Sequence, residues 1–228
     1  MYPKKELAQL VISACCQFGI ETVVISPGSR NAPLTIGFVN HSEIETFSVV
    51  DERCAAFFAL GIAQQTQKPV AILCTSGTAL LNYYPAIAEA FYSNIPLIVL
   101  STDRPKHLID IGDGQTIRQE NVFENHILFS ANLIESDRFK TKNAQLIGEA
   151  FQIAISQKGP VHVNIPFDEP LYEITDVLQK FHFPHISMSS LDNNHIDYQQ
   201  FAKIWNQAEQ KMILVGVNYP DEKLHHLM

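Results

Sequence analysis

Three short segments combine residue types that could handle a ligand, and each directly follows an apolar run. Ser26-Pro27-Gly28-Ser29-Arg30 is a tight turn with a hydroxyl and a guanidinium at its tip. The same residues also suit a plain strand-to-helix turn with a solvent-facing arginine, and composition does not separate the two. Asp51-Glu52-Arg53 places carboxylates where a helix would start, a position the helix dipole favours with or without chemistry. Thr75-Ser76-Gly77-Thr78-Ala79 is built of small residues that let a ligand approach a helix N-terminus.

Familiar phosphate-binding and nucleophile motifs do not compete. Gly112-Asp113-Gly114 lacks the third glycine of a dinucleotide fingerprint and follows no convincing strand. There is no Gly-x-x-x-x-Gly-Lys-Ser/Thr loop, and Ser76 lacks the glycine frame of a nucleophile elbow. The chain has a ligand-ready edge without a phosphate cradle of its own.

The elements that must position these segments are legible from periodicity. Leu7, Leu10, Val11 and Ala14 form a helical stripe closed near Gly19, and Thr22 to Ser26 is a β-branched strand. A helix is expected from Ala32-Pro33, a strand over Glu45 to Val50, and a helix capped by Asp51 that carries Ala55, Ala56, Leu60 and Ala63. Val70 to Cys74 and Pro96 to Ser101 read as buried strands, with a helix capped by Thr75 or Ser76 running between them through Phe91. The polar stretch Asp103 to Glu124 is long enough to be functional or poorly ordered. A helix over Ala144 to Gln157 and a strand over Val161 to Ile165 follow. This alternation predicts an α/β fold, a doubly wound and mostly parallel sheet with helices on both faces. Ligands in such folds gather beyond the carboxyl ends of the strands, where the three segments lie.

The domain expected from this pattern covers residues 1–184, with a linker at 185–196 and the start of a second α/β domain at 197–228. That last stretch predicts a helix at Tyr198 to Gln210 and a strand at Met212 to Val215. So short a piece cannot bury a core, so the sequence is expected to be a fragment.

Composition narrows the function classes. At 46% hydrophobic and 18% charged, the 228 residues suit a soluble globular protein. A net charge of −8 argues against non-specific nucleic-acid binding. No apolar run is long enough to span a bilayer, and the N-terminal segment is amphipathic rather than a signal peptide. Cys15, Cys16, Cys54 and Cys74 form no Cys-x-x-Cys pair and are expected as buried, reduced thiols of a cytoplasmic protein. His182 and His185 lack a helical frame, and no zinc site is expected there.

Five collinear motifs resemble one family. They are Ser26-Pro27-Gly28-Ser29-Arg30-Asn31-Ala32-Pro33-Leu34, Asp51-Glu52-Arg53, Thr75-Ser76-Gly77-Thr78-Ala79, Thr102-Asp103-Arg104-Pro105 and Gln115-Thr116-Ile117-Arg118-Gln119. In this order and spacing they are similar to 2-succinyl-5-enolpyruvyl-6-hydroxy-3-cyclohexene-1-carboxylate synthases, thiamine-diphosphate enzymes of menaquinone biosynthesis. The resemblance runs over about residues 4–175 and includes Asn164 to Tyr172.

It implies a pyrimidine-binding domain of a homodimeric or homotetrameric enzyme that decarboxylates 2-oxoglutarate and adds the succinyl-semialdehyde unit to isochorismate. Glu52 matches the catalytic glutamate that hydrogen-bonds the cofactor's aminopyrimidine, and Thr78 a backbone contributor beside it. Arg30 and Arg104 match carboxylate-binding arginines, which suits two dicarboxylate substrates. Ser29 and Gln115 match pocket residues, and Arg118 is either a substrate contact or a loop support. Some members have Asn where this chain has Gly114, so that side-chain contact is missing here. Magnesium or manganese and the diphosphate are expected to be bound beyond this chain, and the chain alone is expected to be inactive. The competing readings are an enzyme of the acetolactate-synthase or decarboxylase type, and a stand-alone α/β binding module.

Overall fold

The computed structural model describes residues 1–184, 197–216 and 220–227. Its contacts divide the chain into two units, Met1–Ile186 and Ser187–Met228. The first holds the sheet. A two-residue strand β1 (Tyr2–Pro3) precedes α1 (Glu6–Gln17), then β2 (Thr22–Ile25), α2 (Ala32–Val39), β3 (Glu45–Ser48), α3 (Glu52–Thr66) and β4 (Val70–Cys74). A 3-10 turn (Gly77–Tyr83), α4 (Tyr84–Tyr92) and β5 (Leu97–Asp103) follow. Then come β6 (Phe129–Asn132), α5 (Lys140–Gln157), β7 (Val161–Pro166) and β8 (Ile174–Thr175).

Six strands form one parallel sheet in the order β3-β2-β4-β5-β7-β6, while β8 pairs antiparallel with β1. The period of two sorts each strand's side chains to opposite faces. Val23, Ile25, Ala71, Leu73, Ile98 and Leu100 join α1, α2 and α5 in one core. Val24, Ile72, Cys74, Leu97 and Val99 join α3 and α4 in the other. The doubly wound α/β architecture is the one the alternation predicts.

Two local expectations need correction, and one strand was not expected. The helix after β4 begins as a 3-10 turn, because Pro85 has no N–H to continue an α-helical ladder through that point, and Ser76 caps nothing with its side chain. Cys54 is exposed and Cys16 half-buried, since α3 turns Ala55, Ala56, Ala59, Leu60 and Ala63 inward and Cys54 with Phe57 and Phe58 outward. β6 was not expected, although Ile127, Leu128, Phe129, Ala131 and Leu133 around it carry a strand-like apolar pattern.

In the second unit, α6 (Tyr198–Gln207) and α7 (Glu222–Leu227) have no buried residues. The strand expected at Met212 to Val215 does not form: residues 211–216 are irregular, with Met212 and Leu214 exposed. An isolated strand has no partner for its backbone groups. The proposed linker at 185–196 lies outside the described residues, as does His185.

Candidate functional site

Chain order reverses between β2 and β4: β3 lies on one side of β2, and β4 on the other. The crevice at such a switch point is where open α/β sheets take ligands. Two turns meet there. A Cβ added to Gly28 would fall 2.5 Å from that of Thr75, so the turns after β2 and β4 can touch because position 28 has no side chain. Ser26 is buried and accepts a hydrogen bond from the Tyr83 hydroxyl at 3.2 Å, and Asn31 donates to its carbonyl at 2.8 Å.

Glu52 is the first residue of α3, and it is half-buried. Asp51 caps that helix, accepting from the backbone N–H groups of Arg53 and Cys54 at 3.0 and 3.2 Å. The side-chain bond from Arg53, then the Cys54 N–H, hold Asp51 below the usual carboxylate range. Both members of this pair are exposed, whereas Glu52 between them is half-buried. Burial first, and the Glu52 carboxylate second, raise the Cys74 thiol at the end of β4. Burial, then Cys74, raise the Tyr83 phenol, with Glu52 adding to it. The Glu52 carboxylate is therefore within electrostatic reach of the end of β4.

Gly77 has φ +83°, and a Cβ there would lie 2.9 Å from the Gln115 carbonyl oxygen. The loop after β5 thus folds back over the end of β4 and brings Gln115, itself exposed, to the same crevice. Ser29 and Thr78 are also exposed at the tips of their turns.

Arg30 is only 5% exposed. Its Nη1 donates to the Phe167 carbonyl at 2.8 Å, and its Nη2 lies 3.1 Å from Glu169. Burial first, and the charge of Arg104 second, lower its pKa, so the two arginines share one electrostatic neighbourhood. Arg104 borders a cavity of about 1100 Å³ with Asp103, Arg118, Gln119, Asn164 and Asp168. Arg118 stands at its margin, 83% exposed and ion-paired to Asp110 at 2.8 Å, which is a loop-supporting contact.

Sequence reasoning missed the polar network beneath this surface. Gln119 is buried, accepts from Gly77 N–H at 2.8 Å, and donates to the Asn164 Oδ1 at 2.9 Å and the Thr102 carbonyl at 3.2 Å. Asn164 donates to Asp103 at 2.9 Å, and Asp103 accepts from the Arg104 N–H at 2.8 Å. Burial raises the Asp103 pKa, against the bonds from Asn164 and the Arg104 N–H. Ser101 joins the network and meets His162 Nε2 at 2.6 Å. Gln119 and Asn164 both stand in recognisable motifs, but nothing in their spacing says that they face inward. Among the described residues, no group of three or more His, Cys, Asp or Glu side chains could hold a metal ion, and no helix is long and apolar enough to cross a membrane.

Residues 5–129 match the family described as thiamine pyrophosphate enzyme, N-terminal TPP binding domain. The chain is 56% identical over 216 residues to a protein of Flavobacterium psychrophilum and 57% identical over 219 to one of Flavobacterium johnsoniae. It is 52% identical over 239 residues to one of Christiangramia forsetii. All three relatives are named 2-succinyl-5-enolpyruvyl-6-hydroxy-3-cyclohexene-1-carboxylate synthase. The alignments cover 95%, 95% and 96% of this chain but 39%, 39% and 41% of the relatives, so the chain spans about two fifths of their length. The chain belongs to the thiamine pyrophosphate enzyme family and carries the N-terminal domain through which that family binds its cofactor.

Proposed function

We propose that this chain is the pyrimidine-binding part of a thiamine-diphosphate-dependent synthase, a carbon–carbon bond-forming and decarboxylating transferase. Its substrates would be 2-oxoglutarate and isochorismate, in menaquinone biosynthesis. The observation that carries the reading is Glu52, a half-buried carboxylate fixed at the first turn of α3 beside the β2/β4 switch point.

The residues present fit the aminopyrimidine end of the cofactor. A carboxyl that can share a proton with a ring nitrogen lies within electrostatic reach of the end of β4, and Gly28 and Gly77 let the surrounding turns close up without side chains between them. Thr78 offers backbone in the same turn. When bound, thiamine diphosphate supplies a nucleophilic thiazolium carbon and an electron sink for decarboxylation. Glu52 would hold or release the proton at the pyrimidine nitrogen. Arg30 and Arg104 would bind substrate carboxylates, with Ser29, Gln115 and Arg118 completing the polar lining. The paired, planar donors of a guanidinium match a carboxylate better than an ammonium does. A magnesium or manganese ion would be held outside the described residues. Relatives carrying the synthase name at 52–57% identity support this choice within the family. The working protein would be a cytoplasmic homodimer or homotetramer.

A chimera tests the reading. This chain replaces the matching segment of the Flavobacterium johnsoniae relative, and product formation is followed with both substrates and thiamine diphosphate. Activity is expected, and its loss in Glu52→Gln is expected with it. A folded, cofactor-binding chimera that consumes neither substrate overturns the assignment.

A further inference from the structure

Arg104 is already faced by an acid of its own chain. Its Nε lies 3.7 Å from Asp113 Oδ2, and both atoms are buried without a hydrogen-bond partner. Charge-assisted N–H···O bonds close to about 2.7–2.9 Å. The pair therefore has the attraction of opposite charges without the bond that would offset their desolvation. Arg30 shows the same shortfall nearby: its Nε is buried and unpartnered, and Asp113, with Glu169 and Asp168, is among the acids that raise its pKa against burial and Arg104. Two guanidinium groups thus keep unused donors at one sheet edge, with a carboxylate standing just out of bonding range.

Asp113 also sits where the backbone can release it. Gly112 has φ +85°, Asp110 +64° and Gln115 +55°, and a Cβ at Gly112 or Gly114 would meet nothing within 4 Å. Among the described residues, no backbone–backbone hydrogen bond outside helices and strands involves residues 110–118. Side-chain contacts hold the segment instead: Thr116 donates to the Asp113 carbonyl at 2.9 Å, and Arg118 pairs with Asp110.

We propose that Asp113 is an internal stand-in for the substrate carboxylate at Arg104, a positioning residue that keeps this guanidinium charged-paired and aimed until a carboxylate ligand takes its place. The proposal rests on the reading of Arg30 and Arg104 as carboxylate binders. An incoming carboxylate gains the bidentate contact that Asp113 fails to make, and Asp113 moves to water on a glycine-flanked segment. Its presence weakens every carboxylate at Arg104 by the work of displacing it, so removing it must strengthen binding. A merely structural role does not produce a gain that depends on Arg104.

The test is titration of 2-oxoglutarate into the chimera with the Flavobacterium johnsoniae relative, without thiamine diphosphate, followed by NMR. It is run for the wild type, Asp113→Asn, Arg104→Gln and the double variant, each with its fold checked by circular dichroism. No binding to the folded wild type overturns the carboxylate reading and the proposal with it. Asp113→Asn is expected to bind about 3- to 10-fold tighter, as for the loss of a modest competing ion pair. Arg104→Gln is expected to bind more weakly, and the double variant to match Arg104→Gln alone. If Arg104→Gln weakens binding but Asp113→Asn leaves it unchanged or weaker, the stand-in is overturned and the carboxylate reading survives. An equal gain in the Arg104→Gln background also overturns it, since that gain would reflect general loss of negative charge. If Arg104→Gln binds as well as the wild type, the carboxylate reading falls and the proposal with it.

Discussion

Individual side chains at this sheet edge are placed by constraints of very different reach. Glu52 owes its position to its neighbour: Asp51 caps α3 and pairs with Arg53, so the next residue begins the helix with its carboxylate free. If that carboxylate exchanges a proton with the cofactor's pyrimidine, Glu52→Gln in the chimera should slow deuterium exchange at the thiazolium carbon by roughly 100- to 10,000-fold. NMR reads this directly, and an unchanged rate removes Glu52 from the role. Gly77 is constrained from further away, by its left-handed backbone and by the Gln115 carbonyl above it. Gly77→Ala is expected to cost about 1–2 kcal/mol from backbone conformation alone, in urea unfolding, and to shift the Gln115 resonances.

At the scale of elements, α3 illustrates how one helix serves two masters. Its inner face is a row of small residues, Ala55, Ala56, Ala59 and Ala63, which lets it lie close against β2 and β4 and hold Glu52 at their ends. Its outer face shows Cys54, Phe57 and Phe58 to solvent in this chain. Gly61 lies in the middle of the continuous helix without an evident packing reason, because a Cβ there would meet nothing within 4 Å. Gly61→Ala should therefore raise stability by about 1 kcal/mol, the ordinary difference in helix propensity. A loss of stability would reveal a contact at position 61. The loop between β5 and β6 works by another rule: short backbone-bonded turns stand at its two ends, and Gln119 reaches across to Gly77 beside its middle.

For the molecule as a whole, stability is tied to pH through a histidine in the middle of the sheet. His162 on β7 is fully buried, and burial lowers its pKa from 6.5 to about 3. The unfolded chain takes up a proton near its ordinary value while the folded chain does not. The contribution is therefore fully present above about pH 6.5 and is lost as pH falls toward the folded value. Between pH 6.5 and 5, unfolding free energy should come to fall by up to about 1.4 kcal/mol per pH unit from this residue. His162→Gln should flatten that part of the curve, and an identical pH profile would show that His162 is protonated in the fold. The second unit, Ser187–Met228, has no buried residue in either of its helices, so the sheet unit carries the core.

How much of this was legible depends on range. Strands such as Val70–Cys74 and caps such as Asp51 are governed by neighbours within a few residues, so periodicity and capping chemistry revealed them and with them the doubly wound sheet. The collinear motifs sufficed for the family: three follow β2, β3 and β4, a fourth ends β5, and the fifth lies in the loop that folds back to them. Met212 to Val215 shows the limit: an apolar run is a strand only if something pairs with it. Tertiary structure alone decided which polar residues face inward. Arg30 is buried where the Phe167 carbonyl, 137 positions away, accepts its hydrogen bond, and Gln119 where it accepts from the Gly77 N–H, 42 positions back. It also decided that Arg118 leans out to Asp110 and that Asp113 stands against Arg104. Burial and pairing between residues distant in sequence depend on the folded path of the chain, which local pattern does not encode residue by residue.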